Sequence, residues 1–322
     1  MRGASRFSTA ILALGALIGT AHAQQPYPVR PVRLIVPFPP GGGVDIVARS
    51  MSQKLTESFK TSVVVDNRPG AAGAIGTDIA IRATPDGYTL LAVEGGYAGN
   101  AAVFKLSYDP LKDVTPIALI AQTAFLVTLH PSVPAKTIKE LIAHDKVNPG
   151  KLHYGSGGTG SVNHLVGELF NQKAGTHLTH VSFKGVGLAL NDLLGGQIQL
   201  IIGGMPPMLP HVKANRLRGL AVTTEKRSQA VPDLPTVAET VPGYEATQWF
   251  AILAPKGVAP HVVERWNGEI QRILELQDVR ERMTNEGLEP AGGSPERFRD
   301  VLQRDISKWR QVVAVAGIKP GY

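Results

Sequence analysis

The residues of this chain with types and spacing suited to chemistry gather in two glycine-rich turns and one acidic position. The first turn reads Pro37-Phe38-Pro39-Pro40-Gly41-Gly42-Gly43 and runs into Val44-Asp45. The second reads Gly155-Ser156-Gly157-Gly158-Thr159-Gly160-Ser161 and is followed by His164. Each lies between an extended run and a segment with helical apolar spacing, so each predicts strand, turn and helix. Glycine lets the backbone aim its amides inward, and a helix start adds unpaired N–H groups and partial positive charge. That chemistry is anion binding, and the first turn reads as half of a carboxylate site. Asp45, at the helix start, suits a cap or a dipole-stabilising role, with a ligand-bridging water as its second reading. Glu94 falls just past another strand. A carboxylate buried there repels an acidic ligand unless it meets an amine, amide or hydroxyl donor; turned to solvent, it makes no such demand.

Rival chemistries fit these residues less well. Gly155, Gly157 and Gly160 match G-x-G-x-x-G, but a dinucleotide site needs an acidic residue about twenty positions on, at the end of the next strand. That strand ends Phe183-Lys184. A serine hydrolase needs G-x-S-x-G, whereas Tyr154 and Thr159 stand two residues before Ser156 and Ser161. His164 reads as a packed histidine or a supporting donor rather than a base. His177 and His180 offer no third ligand and the chain has no cysteine, so neither a metal nor a cofactor is expected.

The elements that must position the turns follow in order. Val32 to Val36 is the first strand, Ile46 to Leu55 its helix, Ser62 to Asp66 the second strand, Ala71 to Ala83 a small-residue helix and Tyr88 to Val93 a buried strand. This β-α-β-α-β order predicts a parallel sheet covered by helices, with ligands at the strand C-terminal edge. Asn100 to Pro116 reads as loop, and Ile117 to Thr128 as one or two strands. A helix capped by Thr137, with Glu140 at capping-box spacing, ends near Asn148-Pro149-Gly150. The second unit follows from Lys151: strand, glycine turn, helix, a strand over Leu178 to Phe183, the Lys184-Gly185 turn, a helix over Leu188 to Leu194, and strands over Gln197 to Ile202 and Leu217 to Thr223. The two strand–turn–helix units facing one another would form a pincer. Val231 to Gly243 is Pro-rich and reads as a crossing between lobes, Thr247 to Ala254 is apolar, and helices run over Val262 to Leu276, Asp278 to Asn285 and Pro295 to Val315. This helical tail needs a sheet to pack on, and the first lobe is a candidate.

Positions 1–23 carry Arg2 and Arg6, a short apolar run and Ala21-His22-Ala23, the pattern of a secretory signal peptide cleaved after Ala23. The full chain has 33 Lys and Arg against 26 Asp and Glu; losing Arg2 and Arg6 leaves a mildly basic mature protein. Its charges are dispersed and its aromatics few, so nucleic acid is not an expected partner.

The ordered motifs carry a more specific statement. PVRLIVPFPPGGGVDIVAR, VVVDNRPGAAGAIG, TPDGYTLL, YDPLKDVTPIALIA, HPSVPAKTIKELI, NPGKLHYGSGGTGSVNHLVGELF, HVSFKGVGLALNDLLGGQIQL, LPHVKANRLRGLAVTTEKRS and PDLPTVAET together resemble the Bug-type solute-binding receptors of tripartite tricarboxylate transporters, from about Tyr27 to the C-terminus. The resemblance implies an α/β fold of type II-like periplasmic binding proteins: two lobes, crossover hinge strands and a ligand cleft between them. Lobe 1 would comprise 24–125 with 231–322, and lobe 2 would comprise 126–230. The ligand carboxylate would be gripped by backbone amides and ordered waters of the two facing loops. The ligand-binding set is then Phe38, Gly41, Gly42, Gly43 and Asp45 on one side, Glu94 and Tyr97 beside them, and Ser156, Gly157, Gly158, Thr159, Gly160 and Ser161 opposite, with Phe183 and Lys184. Three departures bear on the ligand: Phe183 stands for the usual Tyr, Gly203-Gly204 for a more polar pair, and Glu94 for a small hydroxyl residue. They weigh against a plain citrate- or malate-like acid and leave aromatic carboxylates, amino acids and amide-bearing acids open. The expected protein is a non-enzymatic, monomeric periplasmic receptor that binds a small organic acid and delivers it to membrane permease subunits. The alternative is a periplasmic ligand sensor using the same cleft for a signalling partner.

Overall fold

The computed structural model describes residues 27–318; the expected signal peptide at 1–23 lies outside them. The first half runs β1 (Val32–Val36), α1 (Gly43–Phe59), β2 (Val63–Asn67), α2 (Ala74–Ile81), β3 (Thr89–Glu94), α3 (Gly96–Val103) and β4 (Val114–Leu129). The second half runs α4 (Ile138–Val147), β5 (His153–Ser156), α5 (Val162–Ala174), β6 (Thr179–Ser182), α6 (Val186–Leu194), β7 (Leu200–Gly204), α7 (Met205–Lys213) and β8 (Arg218–Val222). The chain then returns through β9 (Thr247–Pro255), α8 (Pro260–Leu274), α9 (Gln277–Asn285), β10 (Glu289–Pro290) and α10 (Pro295–Ala316).

β1 pairs in parallel with β2 and β3, and β5 pairs in parallel with β6 and β7. Two antiparallel strands join these parallel sets. β9 lies between β3 and β4, and β4 changes partners along its length. Its Val114 to Ala124 stretch pairs β9, while Phe125 to Leu129 pairs β7 and Leu126 to Leu129 pairs β8. A single 16-residue strand therefore answers the expected one or two. Its near-continuous apolarity follows from being covered on both faces, as its burial shows.

Helices cover the sheet as the apolar spacing predicts. In α1, Val47, Met51 and Leu55 are buried against β1 and the fully buried Trp266 of α8. The Thr137 hydroxyl accepts from the Glu140 amide at 3.1 Å, so the expected cap forms. Glu140 reaches back to the Lys136 amide, one residue before the cap. The helical tail packs on elements of both halves of the chain: α10 lies against α3, β4 and α5. Its Val312 carbonyl accepts from Gln172 Nε2 of α5 at 2.9 Å. Helix α3 is missing from the sequence reading, which leaves Asn100 to Pro116 as loop. Its Gly-Tyr-Ala-Gly-Asn-Ala-Ala-Val sequence has weak propensity, and packing against α10 and α5 supplies what propensity lacks.

Candidate functional site

The cavity of interest has a volume of about 370 Å³ and opens between the turn after β1 and the turns after β5 and β6. Four helices bring their starts to it; α7 does so through Gly204 and Pro207, where prolines at 206 and 207 carry no N–H, so three of the four offer free amides. Gly42, Gly43 and Val44 line it from the start of α1, Ser161 and Asn163 from the start of α5, and Gly185, Val186 and Gly187 from the start of α6. The first intrahelical amide bonds run from Ile46 to Gly42, from Leu165 to Ser161 and from Leu188 to Gly185. Amides preceding these have no acceptor within their own helix and are left for a ligand or water. Three helix N-termini facing one space make it electropositive without a cationic side chain. Among the described residues, no Lys or Arg lines the cavity.

The first turn is built from fewer special conformations than its three glycines suggest. Gly41 alone has a positive φ, 86°, whereas Gly42 is the extended N-cap of α1 at −78°. Gly43 is closely enclosed, since a Cβ there would lie 3.1 Å from the Phe250 ring and the ring would have to move by a few tenths of an ångström. Asp45 is no side-chain cap of the N-cap type. Its carboxylate accepts from the Gly41 amide at 3.0 Å, from Asn67 Nδ2 at 2.9 Å and from Arg49 at 3.0 Å. Burial pushes this carboxyl up, but the Arg49, Gly41 and Asn67 donors outweigh it and hold it below the usual range. Asp45 thus ties the turn to the end of β2 and consumes the Gly41 amide.

The second turn differs more from expectation. The Gly158 amide donates to Ser156 Oγ, Thr159 to Ser182 Oγ, Gly160 to His164 Nδ1 and Ser161 to the Gly158 carbonyl, all at 3.0 to 3.1 Å. These four amides are spent on partners within the turn, β6 and α5, so they are not free to grip a ligand in this arrangement. From this turn Gly157 and Ser161 line the cavity. Ser161 Oγ is buried and has no partner within the protein, the state of a group that awaits a ligand or water.

Behind the turn lies a buried polar cluster that the sequence does not reveal. His164 and His180 stack at 3.9 Å between centroids, and His180 Nε2 lies 2.6 Å from Ser156 Oγ. A base therefore does stand beside Ser156. Yet Ser156 is fully buried, outside the cavity lining, and its hydroxyl already accepts from Gly158 and donates to its carbonyl. Burial pushes His164 down to about 4, and burial with the neighbouring His164 pushes His180 down to about 3. The pair is neutral and holds the turn in shape. His164 accepts from the turn rather than donating to it.

Of the remaining expected site residues, Phe38 and Glu94 line the cavity, while Tyr97, Phe183 and Lys184 do not. The Tyr97 hydroxyl donates to the Pro110 carbonyl at 2.9 Å and its ring stacks on Tyr108; as the second residue of α3, it turns its side chain to the core instead. After Phe183-Lys184 it is the start of α6 that reaches the cavity. A third strand, glycine turn and helix at Ser182 to Val186 was the available signal. Gln248 and Phe250 of β9 also line the cavity, with Phe250 directly opposite Glu94 in register. Nothing local marks them, because only the pairing of β9 with β3 brings them there. Glu94 Oε2 accepts from Gln248 Nε2 at 3.1 Å, and burial pushes its carboxyl up to about 7.

Residues 47–318 match the profile described as "Tripartite tricarboxylate transporter family receptor". Protein BugT of Bordetella pertussis is 35% identical over 315 residues, which cover 95% of this chain and 97% of that protein. Among solved structures, Rpa4515 of R. palustris with adipate aligns with a TM-score of 0.89 and 36% identity, covering 92% of this chain and 100% of that one. MatC (Rpa3494) from Rhodopseudomonas palustris with bound malate aligns at 0.85 and 30% identity, covering 89% and 100%. The ligands of these two are aliphatic dicarboxylates; aromatic and amide-bearing acids gain no support from them. The chain belongs to the tripartite tricarboxylate transporter receptors of Bug type, a family of periplasmic solute-binding proteins.

Proposed function

We propose that this protein captures a small carboxylate-bearing solute in the periplasm and delivers it to a tripartite tricarboxylate-type membrane transporter, without chemical turnover. The observation that carries the reading is the convergence of three amide-bearing helix N-termini on one cavity that, among the described residues, has no Lys or Arg in its lining. The solute carboxylate is held by the first amides of α1, α5 and α6 and by Ser161, with Phe38 and Phe250 against its carbon chain. Asp45 and the Ser156 to Gly160 turn hold the shape of the site. Lobe 1 comprises 24–125 with 231–322 and lobe 2 comprises 126–230. They close about β4 and β9, because a ligand touching both sides favours the closed state by its extra contacts. Adipate in Rpa4515 and malate in MatC support a ligand of this class.

A thermal-shift screen of the mature protein against mono- and dicarboxylic acids tests capture, since a ligand that binds only the native state raises its melting temperature. A folded protein that shifts with no acid refutes the reading. Deletion of the gene tests delivery: uptake of the captured acid falls if the protein serves a transporter. Unimpaired uptake with a lost transcriptional response assigns the same cleft to sensing.

A further inference from the structure

One carboxyl group lies among the helix-start donors of the cavity. Glu94 is its one titratable side chain among the described residues. It is half-buried, and the part left accessible lies in the cavity lining. Among the described residues it has one side-chain donor, Gln248 Nε2 at 3.1 Å. Gln248 cannot be turned round, because its Oε1 accepts from the Gly95 amide at 3.3 Å, so its amide nitrogen must face Glu94. A carboxylate has about four acceptor positions, which leaves capacity on the cavity side. The cavity lining is otherwise mostly glycine, proline and apolar side chains, and its other polar residues, Ser161, Asn163 and Asn191, make no hydrogen bond to Glu94 among the described residues; an unpaired charge there is costly.

Glu94 also stands close to the donors. A Cβ built on Gly96 would lie 3.8 Å from Glu94 Oε1 and 3.6 Å from the Val162 amide nitrogen at the start of α5. One built on Gly43, at the start of α1, would lie 3.9 Å from Glu94 Oε2. Yet no amide of either helix is bonded to the carboxylate. Helix-start donors and an acceptor-only group therefore border one space without satisfying each other.

We infer that the solute is zwitterionic, with its carboxylate held at the helix starts and a protonated amine held by Glu94, which Gln248 fixes in orientation. This rests on the receptor reading and narrows it. A dicarboxylate of the same length would set its second carboxylate against Glu94, a like-charge contact that disfavours it.

Isothermal titration at pH 8 with matched pairs tests the inference: succinate against γ-aminobutyrate, glutarate against δ-aminovalerate, adipate against ε-aminocaproate, and the monoamide adipamate as a neutral control. In the wild-type protein, at least one aminocarboxylate is expected to bind about tenfold or more tighter than its dicarboxylate, about 1.4 kcal/mol. In Glu94→Gln, which retains an acceptor for Gln248, that preference should shrink to about twofold or reverse. The wild-type ratio needs no variant, so it stands whatever the variant does. Dicarboxylates binding as tightly as aminocarboxylates, with a ratio unchanged by Glu94→Gln, overturn the inference and leave the receptor reading intact. Tighter binding of adipamate than of ε-aminocaproate likewise overturns the protonated amine. No binding of any probe by folded wild-type protein overturns both readings.

Discussion

Replacing Glu94 by Gln should stabilise the ligand-free protein above neutral pH and leave its stability in acid nearly unchanged. The substitution keeps the oxygen that accepts from Gln248 Nε2 and removes only the charge. Burial moves the carboxyl from 4.5 to about 7, a displacement worth about 3 kcal/mol at about 1.4 kcal/mol per pH unit. Because the carboxylate opens on a solvent-reached cavity, screening reduces this to about 2 kcal/mol. Between the two values the folded protein holds more protons than the unfolded chain. Stability from this group is thus fully present below about pH 4.5, falls as pH rises toward about 7, and is flat beyond. His164 and His180 act in the opposite direction over part of the same interval. They are held neutral, at about 4 and about 3, while the unfolded chain takes up protons below the usual imidazole value, so their contribution rises with pH. The wild-type profile is a sum of both slopes, and the difference between wild type and variant isolates Glu94. Urea unfolding of both proteins from pH 4 to 8 should give a difference near zero at the acid end and about 2 kcal/mol in favour of the variant at pH 8, roughly 5 °C in melting temperature. A variant less stable than wild type at pH 8, or a difference that does not change with pH, refutes the argument that burial of an unpaired carboxylate governs this site.

Ser161→Ala removes a hydroxyl that has no partner within the protein, so melting temperature should hardly move while affinity for the captured acid falls by about tenfold, the worth of a hydrogen bond to a charged group; unchanged affinity by titration would exclude Ser161 from the ligand. Gly42→Val places a Cβ with nothing nearer than the Pro39 carbonyl and the Val186 methyl, both at 3.9 Å, leaving its two methyls to crowd the space across the cavity mouth. The fold should be retained by circular dichroism and affinity lost by tenfold or more, whereas undiminished binding would show that α1 does not hold the carboxylate. Gly158→Val is a poorer probe of the opposite turn, because φ there is 131° and a Cβ would be 3.3 Å from the Phe183 carbonyl; it should lower the melting temperature. Gly167→Ala would put a Cβ 2.3 Å from the fully buried Tyr154 ring and should cost about 1 to 3 kcal/mol by overpacking; a wild-type unfolding midpoint would show that the ring can move aside.

Much of the architecture was legible because local rules act on contiguous residues. Val32 to Val36 and the spacing of Val47, Met51 and Leu55 declare a strand and a helix before any contact is known, and Pro39-Pro40 with the glycines declares the break between them. The same logic reads the second unit, and the ordered motifs name the family over nearly the whole chain. Helix α3 escaped because its glycines and alanines carry no period; neighbours that arrive from residues 162–174 and 295–316 hold it in place.

By itself, then, the sequence determined the alternation of elements, the two glycine turns and the acidic position at Glu94. Only the tertiary structure decided which donors remain free. Ser182 takes the Thr159 amide from 23 positions away, and His164 takes the Gly160 amide with a ring nitrogen whose direction only the packing sets, so no spacing rule reveals either bond. Likewise the antiparallel pairing of β3 with β9 brings Gln248 and Phe250 to Glu94 across more than 150 positions. Hydrogen-bond saturation and the desolvation of a carboxylate are properties of what surrounds a group in three dimensions, and they set whether a residue of the right type is available to a ligand.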